Sequence, residues 1–178
     1  PTPEQLKRDA QKALEDLEGR QDSLKPKERM AIPAQEMPAQ DPGERGRNFD
    51  EVALGYSEAQ ARVEAMRCLQ CRNQPCVAGC PVAIDIPAFV QAIAENRKQD
   101  AVDIIKRASL LPAICGRVCP QETQCQAPCT VGKALKDVNQ SVSIGRLERF
   151  VADWEREHGV HIPETRPDTG KRVAVIGT

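Results

Sequence analysis

The sequence is poor in large rings and in imidazoles. Its 178 residues include only three Phe, one Tyr, one Trp and two His. The interior therefore has to be filled by aliphatic side chains, together with any non-protein group that the chain binds. The scarcity of histidine also argues against a metal site built mainly from imidazole.

Two further absences narrow the classes of function. Lys and Arg number 25 against 26 Asp and Glu, a formal net charge of −1 that does not indicate binding to a nucleic-acid backbone. No apolar run approaches the roughly 20 residues that cross a bilayer. The opening PTPEQLKRDAQKALEDL lacks the apolar segment of a signal peptide. We expect a soluble, cytoplasmic protein with no nucleic-acid partner and no membrane span.

Cysteine is the residue that this chain concentrates. All eight cysteines lie within residues 68–129, in two groups of four. The first group reads C-x2-C-x4-C-x3-C-P and the second reads C-x3-C-P-x4-C-x3-C; their members are Cys68, Cys71, Cys76 and Cys80, then Cys115, Cys119, Cys125 and Cys129. Such a concentration is typical of disulfide frameworks, zinc sites or iron–sulfur sites.

Disulfides and zinc are the alternatives to iron–sulfur chemistry. Disulfides suit small secreted domains, whereas cytosolic thiols are held reduced. Zinc takes four tetrahedral ligands, usually from two close cysteine pairs and often with histidine. The two histidines, His158 and His161, lie far from the cysteines along the chain. Two four-thiolate zinc sites in a structural interaction module remain an alternative to a redox role.

Iron–sulfur clusters fit the spacing best. The bacterial ferredoxin run C-x2-C-x2-C-x3-C-P sends its last, proline-flanked cysteine to a second cluster. The junctions Cys80-Pro81 and Cys119-Pro120 repeat that feature, and proline helps to turn the chain because it fixes φ and supplies no N–H. The pattern predicts two clusters, with the eight cysteines divided four and four and the two groups exchanging ligands.

Helical spacing dominates the rest of the chain. Thr2, Ser57 and Asp85 are predicted to begin helices, because each precedes a capping residue or a proline and then an apolar run of helical period. The stripe from Ile144 to Trp154 predicts a last helix that ends near His158. Leu111-Pro112 is predicted to break the helical pattern before the second cysteine group.

Two segments are predicted to be non-helical. Residues 25–50 contain four prolines and should form an extended linker, with apolar residues such as Ile32 and Phe49 packed against the rest of the chain. Residues 171–178, KRVAVIGT, are typical of the first strand of a dinucleotide-binding domain, in which Gly177 is the first glycine of G-x-G-x-x-G. The predicted organisation is an N-terminal helix and Pro-rich linker (1–50), a helical iron–sulfur domain (51–160), and a linker with the first β-strand of a truncated FAD/NAD(P)-binding domain (161–178).

These motifs together support a family resemblance. The arrangement CLQC…C…CP, ICGRVCPQ…C…C, VSIGRLERFV and RVAVIG resembles the N-terminal domain of the glutamate synthase small (beta) chain. It is also similar to related NAD(P)H-dependent ferredoxin or sulfide oxidoreductases and to the N-terminal domain of dihydropyrimidine dehydrogenase. The resemblance runs from about Asn48 to Thr178. It implies a mainly α-helical, ferredoxin-like domain with two 4Fe-4S clusters, followed by FAD and NAD(P)H domains.

The resemblance also implies which side chains bind each cluster. One cluster is expected to bind Cys68, Cys71, Cys76 and Cys129. The other is expected to bind Cys80, Cys119, Cys125 and, unusually, Glu148. Cys115 is then left without a cluster, and no residue of this chain is expected to be catalytic.

The implied function is electron transfer between a flavin and a partner. The expected partners are the chain's own C-terminal flavin and nucleotide domains, and the large glutamate synthase subunit or another redox acceptor. Glutamate synthesis from glutamine and 2-oxoglutarate is the favoured reaction, and a ferredoxin:NADP or sulfide oxidoreductase is the alternative.

Two roles near the cysteines stay open in the sequence. Gly79, Gly116 and Gly132 could offer backbone N–H groups to cluster sulfurs or could simply form turns. Arg117 could offset the negative charge of a cluster, but a surface ion pair is favoured.

Overall fold

Side-chain caps set where three of the helices begin. Thr2 and Ser57 each form a reciprocal capping box with the glutamine three residues later, Gln5 and Gln60. The Asp85 carboxylate accepts a hydrogen bond from the backbone N–H of Ala88 at 3.2 Å. Each cap satisfies backbone N–H groups that the first helical turn leaves without partners. The three predicted helix starts are therefore confirmed.

The computed structural model describes residues 1–21, 23–160, 167–174 and 176. Within these residues the chain is mainly α-helical, and its β structure is a single antiparallel bridge between Ala39 and Ala53. The α-helices are α1 (Pro3–Leu17), α2 (Pro26–Ala31), α3 (Pro42–Arg45), α4 (Glu58–Met66), α5 (Pro75–Ala78), α6 (Ile86–Ala94), α7 (Lys98–Lys106), α8 (Pro112–Val118), α9 (Thr130–Leu135) and α10 (Ile144–His158). Short 3-10 helices cover Gln121–Thr123 and Val138–Gln140.

Helix α6 lies at the centre of the core. It packs against α4 and α7, while α10 packs against α7 and α8, and α1 covers α4. The apolar side chains at its centre are aliphatic apart from one ring; they include Phe89, Val90, Ile93, Val102, Ile105, Leu147 and Val151, each at most 1% exposed. Burying a side chain of this kind contributes about 1.5–3 kcal/mol, which compensates for the scarcity of aromatic rings.

Proline begins helices at places where we predicted an extended chain or a break. Pro26 and Pro42 occupy the first positions of α2 and α3, so residues 25–50 are not an unstructured linker. Pro112 likewise begins α8, and the second cysteine group starts inside that helix. The fixed φ of proline suits the first helical turn, where its missing N–H has no cost. The prediction for Ile32 is confirmed by its burial, whereas the prediction for Phe49 is wrong because its side chain is fully exposed.

A buried ion pair joins three distant parts of the chain. The side chains of Glu64 and Arg67, on and just after α4, are 0% exposed, with Nη1 of Arg67 2.7 Å from Oε1 of Glu64. The guanidinium also donates to three carbonyl oxygens, those of Ile32, Gln140 and Ser141. The carboxylate accepts from the backbone N–H groups of Gln35 and Ser143. The N-terminal extension, α4 and the entry to α10 are thereby fixed together.

The C-terminal segment contributes no strand in its described part. Residues 171–174 and 176 have no assigned secondary structure, and Val173 and Ile176 are almost fully exposed. Gly177 lies outside the described residues, so the dinucleotide-binding strand stays a prediction. Among the described helices, none has the length and apolar character needed to cross a bilayer.

Removing the cation of the buried pair should strongly destabilise the fold. Arg67→Met leaves the Glu64 carboxylate buried without its partner, and we expect a loss of about 3–5 kcal/mol in the free energy of unfolding. Urea unfolding under reducing, anaerobic conditions measures this change. Arg20→Met is the matched control, because the Arg20–Glu28 bridge is exposed and should contribute less than about 1 kcal/mol. Equal losses in the two variants would contradict the role given to Arg67.

Candidate metal-cluster sites

Four cysteines from both groups surround one cavity, the first cavity. Its wall contains Cys68, Cys71, Cys76 and Cys129. The rest of the wall is almost entirely apolar and includes Ile86, Val90, Val131, Val142 and Ile144. The structure therefore brings together the four side chains that the resemblance assigns to one cluster.

Left-handed backbone conformations shape the loop around the first cavity. Gln70 and Gln74 have φ values of +49° and +42°, in a backbone region that residues other than glycine rarely adopt. These residues alternate with the cysteines, so the tight turns direct successive thiols toward one side of the loop. Such conformations tend to persist where surrounding structure enforces them, often at functional sites. Their positions could not be read from the sequence, because glutamine carries no signal for this conformation.

Polar contacts hold the thiols of the first cavity in place. Cys71 Sγ lies 3.2 Å from the Thr130 hydroxyl. The side-chain amide of Gln70 donates to the Cys68 sulfur at 3.5 Å and to the Pro87 carbonyl at 3.0 Å. From α2, Arg29 donates to the carbonyl oxygens of Met66 and Cys68 at 2.9 and 3.2 Å. The N-terminal extension thus supports the first cavity, a role that the sequence did not indicate.

The remaining four cysteines surround the second cavity. Its wall contains Cys80, Cys115, Cys119, Cys125 and Glu148. Gln121 and Gln124 add the other polar groups, and aliphatic residues and Phe89 complete the wall. All four donors that the resemblance assigns to the other cluster are present. Cys115, to which the resemblance assigns no cluster, lies in the same wall.

Glu148 is a buried carboxyl, one oxygen of which has no hydrogen-bonding partner. Its side chain projects from α10, the residue is 6% exposed, and atom Oε1 has no partner in the structure. Burial raises the pKa of this carboxyl to about 7. An unpaired buried oxygen is costly, and its position beside three or more thiols fits a role as a metal ligand. The residues present therefore fit a cluster with one oxygen ligand.

The two cavities are neighbours that share a wall. Ile86 and Ile144 line both of them. Helix α5 also links them, since Cys76 lies within it and Cys80 follows two residues after its end. Both Cys80 of the same cavity and Cys76 of the other raise the pKa of the Cys125 thiol. The four-and-four division with exchange between the groups therefore matches how the structure arranges the thiols.

Burial governs the ionisation of these thiols in the metal-free chain. It raises the pKa of Cys68 and of Cys125 to about 12 and that of Cys76 to about 11, with further increases from neighbouring cysteines. The pKa of Cys119 is also raised, by burial and then by the adjacent Cys115. Metal binding requires thiolates, so loading either cavity must release protons.

Glycine allows the elements around the second cavity to approach closely. A Cβ on Gly116 of α8 would lie 2.6 Å from the backbone nitrogen of Arg149 and 2.8 Å from the carbonyl oxygen of Gly145 on α10. A Cβ on Gly79 would lie 2.7 Å from the Gln124 carbonyl oxygen. These contacts bring Cys119 near Glu148 and Cys80 near Cys125.

The contacts of Gly79 and Arg117 show what these two residues do near the cysteines. The N–H of Gly79 donates to the Pro75 carbonyl, and the backbone N–H groups that reach sulfur include those of Gln70 and Val77. Arg117 pairs with Glu51 at 2.8 Å and with Asp153 at 2.8 Å, so the predicted ion pair is confirmed. All eight cysteines are free thiols, which contradicts a disulfide framework.

The sequence matches a known family over most of these elements. Residues 45–160 match the family described as dihydropyrimidine dehydrogenase domain II, 4Fe-4S cluster. The chain is 39% identical to the glutamate synthase [NADPH] small chain of Escherichia coli over 135 residues, which cover 72% of this chain and 27% of that protein. It is 37% identical over 129 residues to the NAD-dependent dihydropyrimidine dehydrogenase subunit PreT of the same species, covering 72% of this chain and 30% of the relative. The glutamate synthase small chain of Azospirillum brasilense is 33% identical over 146 residues, 81% of this chain and 30% of the relative.

Adding one methyl group at the contact between α8 and α10 should disrupt the second cavity. In Gly116→Ala the new Cβ meets backbone atoms that cannot move aside, and we expect a loss of about 1–3 kcal/mol in the free energy of unfolding, as for other overpacked sites. Gly46→Ala is the matched control, because nothing lies within 4 Å of its Cβ position and its change should stay within about 0.5 kcal/mol. Urea denaturation compares the two variants, and indistinguishable stabilities would contradict the close contact.

Proposed function

Because the chain belongs to the 4Fe-4S family described as dihydropyrimidine dehydrogenase domain II, we propose that it holds two such clusters and conducts electrons between them. The observation that carries the proposal is the pair of adjacent cavities, each lined by four cysteines. The matched region spans less than a third of each relative compared above. The activity of the whole protein is therefore part of the proposal.

The proposed ligands are those that the family resemblance implies, and each set lies in the wall of one cavity. Cys68, Cys71, Cys76 and Cys129 bind one cluster, and Cys80, Cys119, Cys125 and Glu148 bind the other. When bound, a 4Fe-4S cluster supplies a one-electron carrier whose potential depends on its ligands, its hydrogen bonds and its burial. The chain provides the ligands, the aliphatic walls that limit water, and N–H donors to sulfur such as Gln70. None of these residues acts as an acid or base toward a substrate.

Cluster binding accounts for the donor arrangement better than structural zinc does. Zinc draws four donors to within about 2.0–2.3 Å of one ion. In the described residues, no three or more His, Cys, Asp or Glu side chains are gathered closely enough to hold a single metal ion. The iron atoms of a cubane are spread over its corners, so thiols spaced around a whole cavity suit it. The donor spacing therefore favours the redox role over the zinc-stabilised interaction module.

The proposed electron path runs from a flavin to a partner protein. Relatives named as NADPH-linked and NAD-linked enzymes support a nicotinamide electron source, and the FAD and nucleotide domains expected from the sequence would pass its electrons to the clusters. We favour delivery to a glutamate synthase large subunit for glutamate synthesis, and a cytoplasmic location. The similarity to the dihydropyrimidine dehydrogenase subunit supports that enzyme as a second candidate. A ferredoxin:NADP or sulfide oxidoreductase is a further alternative.

Anaerobic reconstitution should load two clusters on the 178-residue chain. We expect about eight iron atoms and about eight acid-labile sulfides per chain, the content of two 4Fe-4S clusters. Cys71→Ala should remove only the cluster of the first cavity, and the double variant Cys119→Ala with Cys125→Ala should remove only that of the second, each leaving about four iron atoms. Iron and sulfide analysis, with electron paramagnetic resonance of the reduced protein, measures the outcome. Saturation at about four iron atoms in the unmodified chain would contradict the proposal of two clusters.

Electron delivery separates the two candidate enzymes. The loaded chain, reduced by dithionite and freed of excess reductant, should be reoxidised by a glutamate synthase large subunit when glutamine and 2-oxoglutarate are present. Stopped-flow absorbance of the clusters measures this reaction, and the same mixture without 2-oxoglutarate is the control. Reoxidation by the pyrimidine-binding subunit of a dihydropyrimidine dehydrogenase with uracil, and not by the glutamate synthase subunit, would favour the second candidate.

A further inference from the structure

The second cavity has one more donor than a cubane has corners. Its wall contains four cysteines and Glu148, whereas the first cavity has four cysteines and no carboxylate. A 4Fe-4S cluster uses one protein ligand for each iron. Since the proposed ligands are Cys80, Cys119, Cys125 and Glu148, the thiol of Cys115 is the surplus donor.

The backbone places Cys115 beside a proposed ligand. Cys115 lies in α8 and Cys119 directly follows its last residue, with the Cys119 N–H donating to the Cys115 carbonyl at 3.2 Å. Residues four apart at the end of a helix lie on the same face, so the two side chains are neighbours. Both thiols also line the same cavity as Glu148. Rotation about the single χ1 angle of cysteine moves Sγ between staggered positions without moving the helix.

The contacts of the two competing donors differ. Cys115 Sγ lies 3.8 Å from the Ser109 hydroxyl, so the thiol has polar neighbours without a metal. Glu148 Oε1 is buried and has none. Carboxylate is nevertheless a harder ligand than thiolate, and soft thiolates are the usual ligands of iron–sulfur clusters. Binding a metal therefore relieves an unpaired buried oxygen only at Glu148, whereas the thiolate of Cys115 has the greater intrinsic affinity for cluster iron.

We propose that Cys115 is a reserve ligand of the second cavity, which takes the place of Glu148 when the carboxylate is released or removed. The inference rests on the proposed function. In the exchange, the bond between iron and the Glu148 oxygen breaks and a bond between iron and the Cys115 sulfur forms. The thiol proton passes to the released carboxylate, so the exchange needs no oxidant or reductant. The second cluster thereby has two ligation states, one with an oxygen ligand and one with thiolates alone.

Four chains test the proposal: the unmodified chain, Cys115→Ala, Glu148→Ala and the double variant. Alanine is used because it carries no donor atom, unlike serine. After anaerobic reconstitution, each single variant should keep about eight iron atoms per chain and the double variant about four. Glu148→Ala should also change the electron paramagnetic resonance signal of one cluster, while Cys115→Ala leaves both signals as they are in the unmodified chain.

Several results would overturn the proposal. Loss of about four iron atoms in Glu148→Ala alone would show that Cys115 cannot replace the carboxylate. Retention of about eight in the double variant would show that another group does so. Loss of a cluster in Cys115→Ala would make Cys115 a primary ligand and contradict its reserve role. A failure of the two-cluster function itself would differ from all of these, because the unmodified chain would then fail to reach about eight.

The first cluster serves as an internal check on folding. A double variant that keeps the first cluster is folded, and its iron content can be read directly. If the double variant loses both clusters, Cys115→Ala with Glu148→Leu replaces it, since leucine fills the space of the carboxyl and carries no donor. About four iron atoms in that variant would support the proposal, and about eight would overturn it.

Discussion

The fully buried pair of Glu64 and Arg67 is the interaction on which both cavities depend. A charged pair without solvent contact is stable only if the remaining donors and acceptors are satisfied, and here backbone groups from residues 32–35 and 140–143 satisfy them. Arg67 directly precedes Cys68, and residues 140–143 lead into α10, which carries Glu148. The buried ion pair and its backbone hydrogen bonds therefore help to fix the position of a thiol in the first cavity and of the carboxyl in the second.

The space for inorganic groups comes from close backbone contact elsewhere. Gly116 and Gly79 let α8, α10 and the loop at Gln124 approach to distances that a Cβ would prevent. Glycine inside a helix costs about 1 kcal/mol in propensity relative to alanine, so its place in α8 is explained by the packing that it permits. Aliphatic side chains, chiefly Ile86 and Ile144, then form a thin wall between the cavities. A bulkier aromatic residue in place of Ile86 or Ile144 would fill part of the cavities or move them apart.

The sequence predicted the chemistry of the sites better than the local backbone. Cysteine spacing and the proline junctions indicated two sites with exchange between the cysteine groups, and the family resemblance indicated which thiols share a site. Caps at Ser57 and Asp85 likewise determined helix starts. Pro112 was misread because proline both ends and begins helices, and only the tertiary contacts of α8 decide which. The support from Arg29 depends on contacts across the fold, which no local pattern encodes.

Burial opposes the ionisation that cluster binding requires of these donors. The thiols of Cys68 and Cys125 have pKa values near 12, and that of the Glu148 carboxyl is near 7, because burial disfavours their charged forms. Ionising several of them at once in one cavity would add repulsion between like charges. A cationic iron core removes both penalties, since it attracts the thiolates and occupies the space between them. Burial and close spacing, which disfavour ionisation of the free donors, would thus be compensated when a cluster is bound. Cluster binding and ordering of residues 68–129 are therefore expected to be coupled.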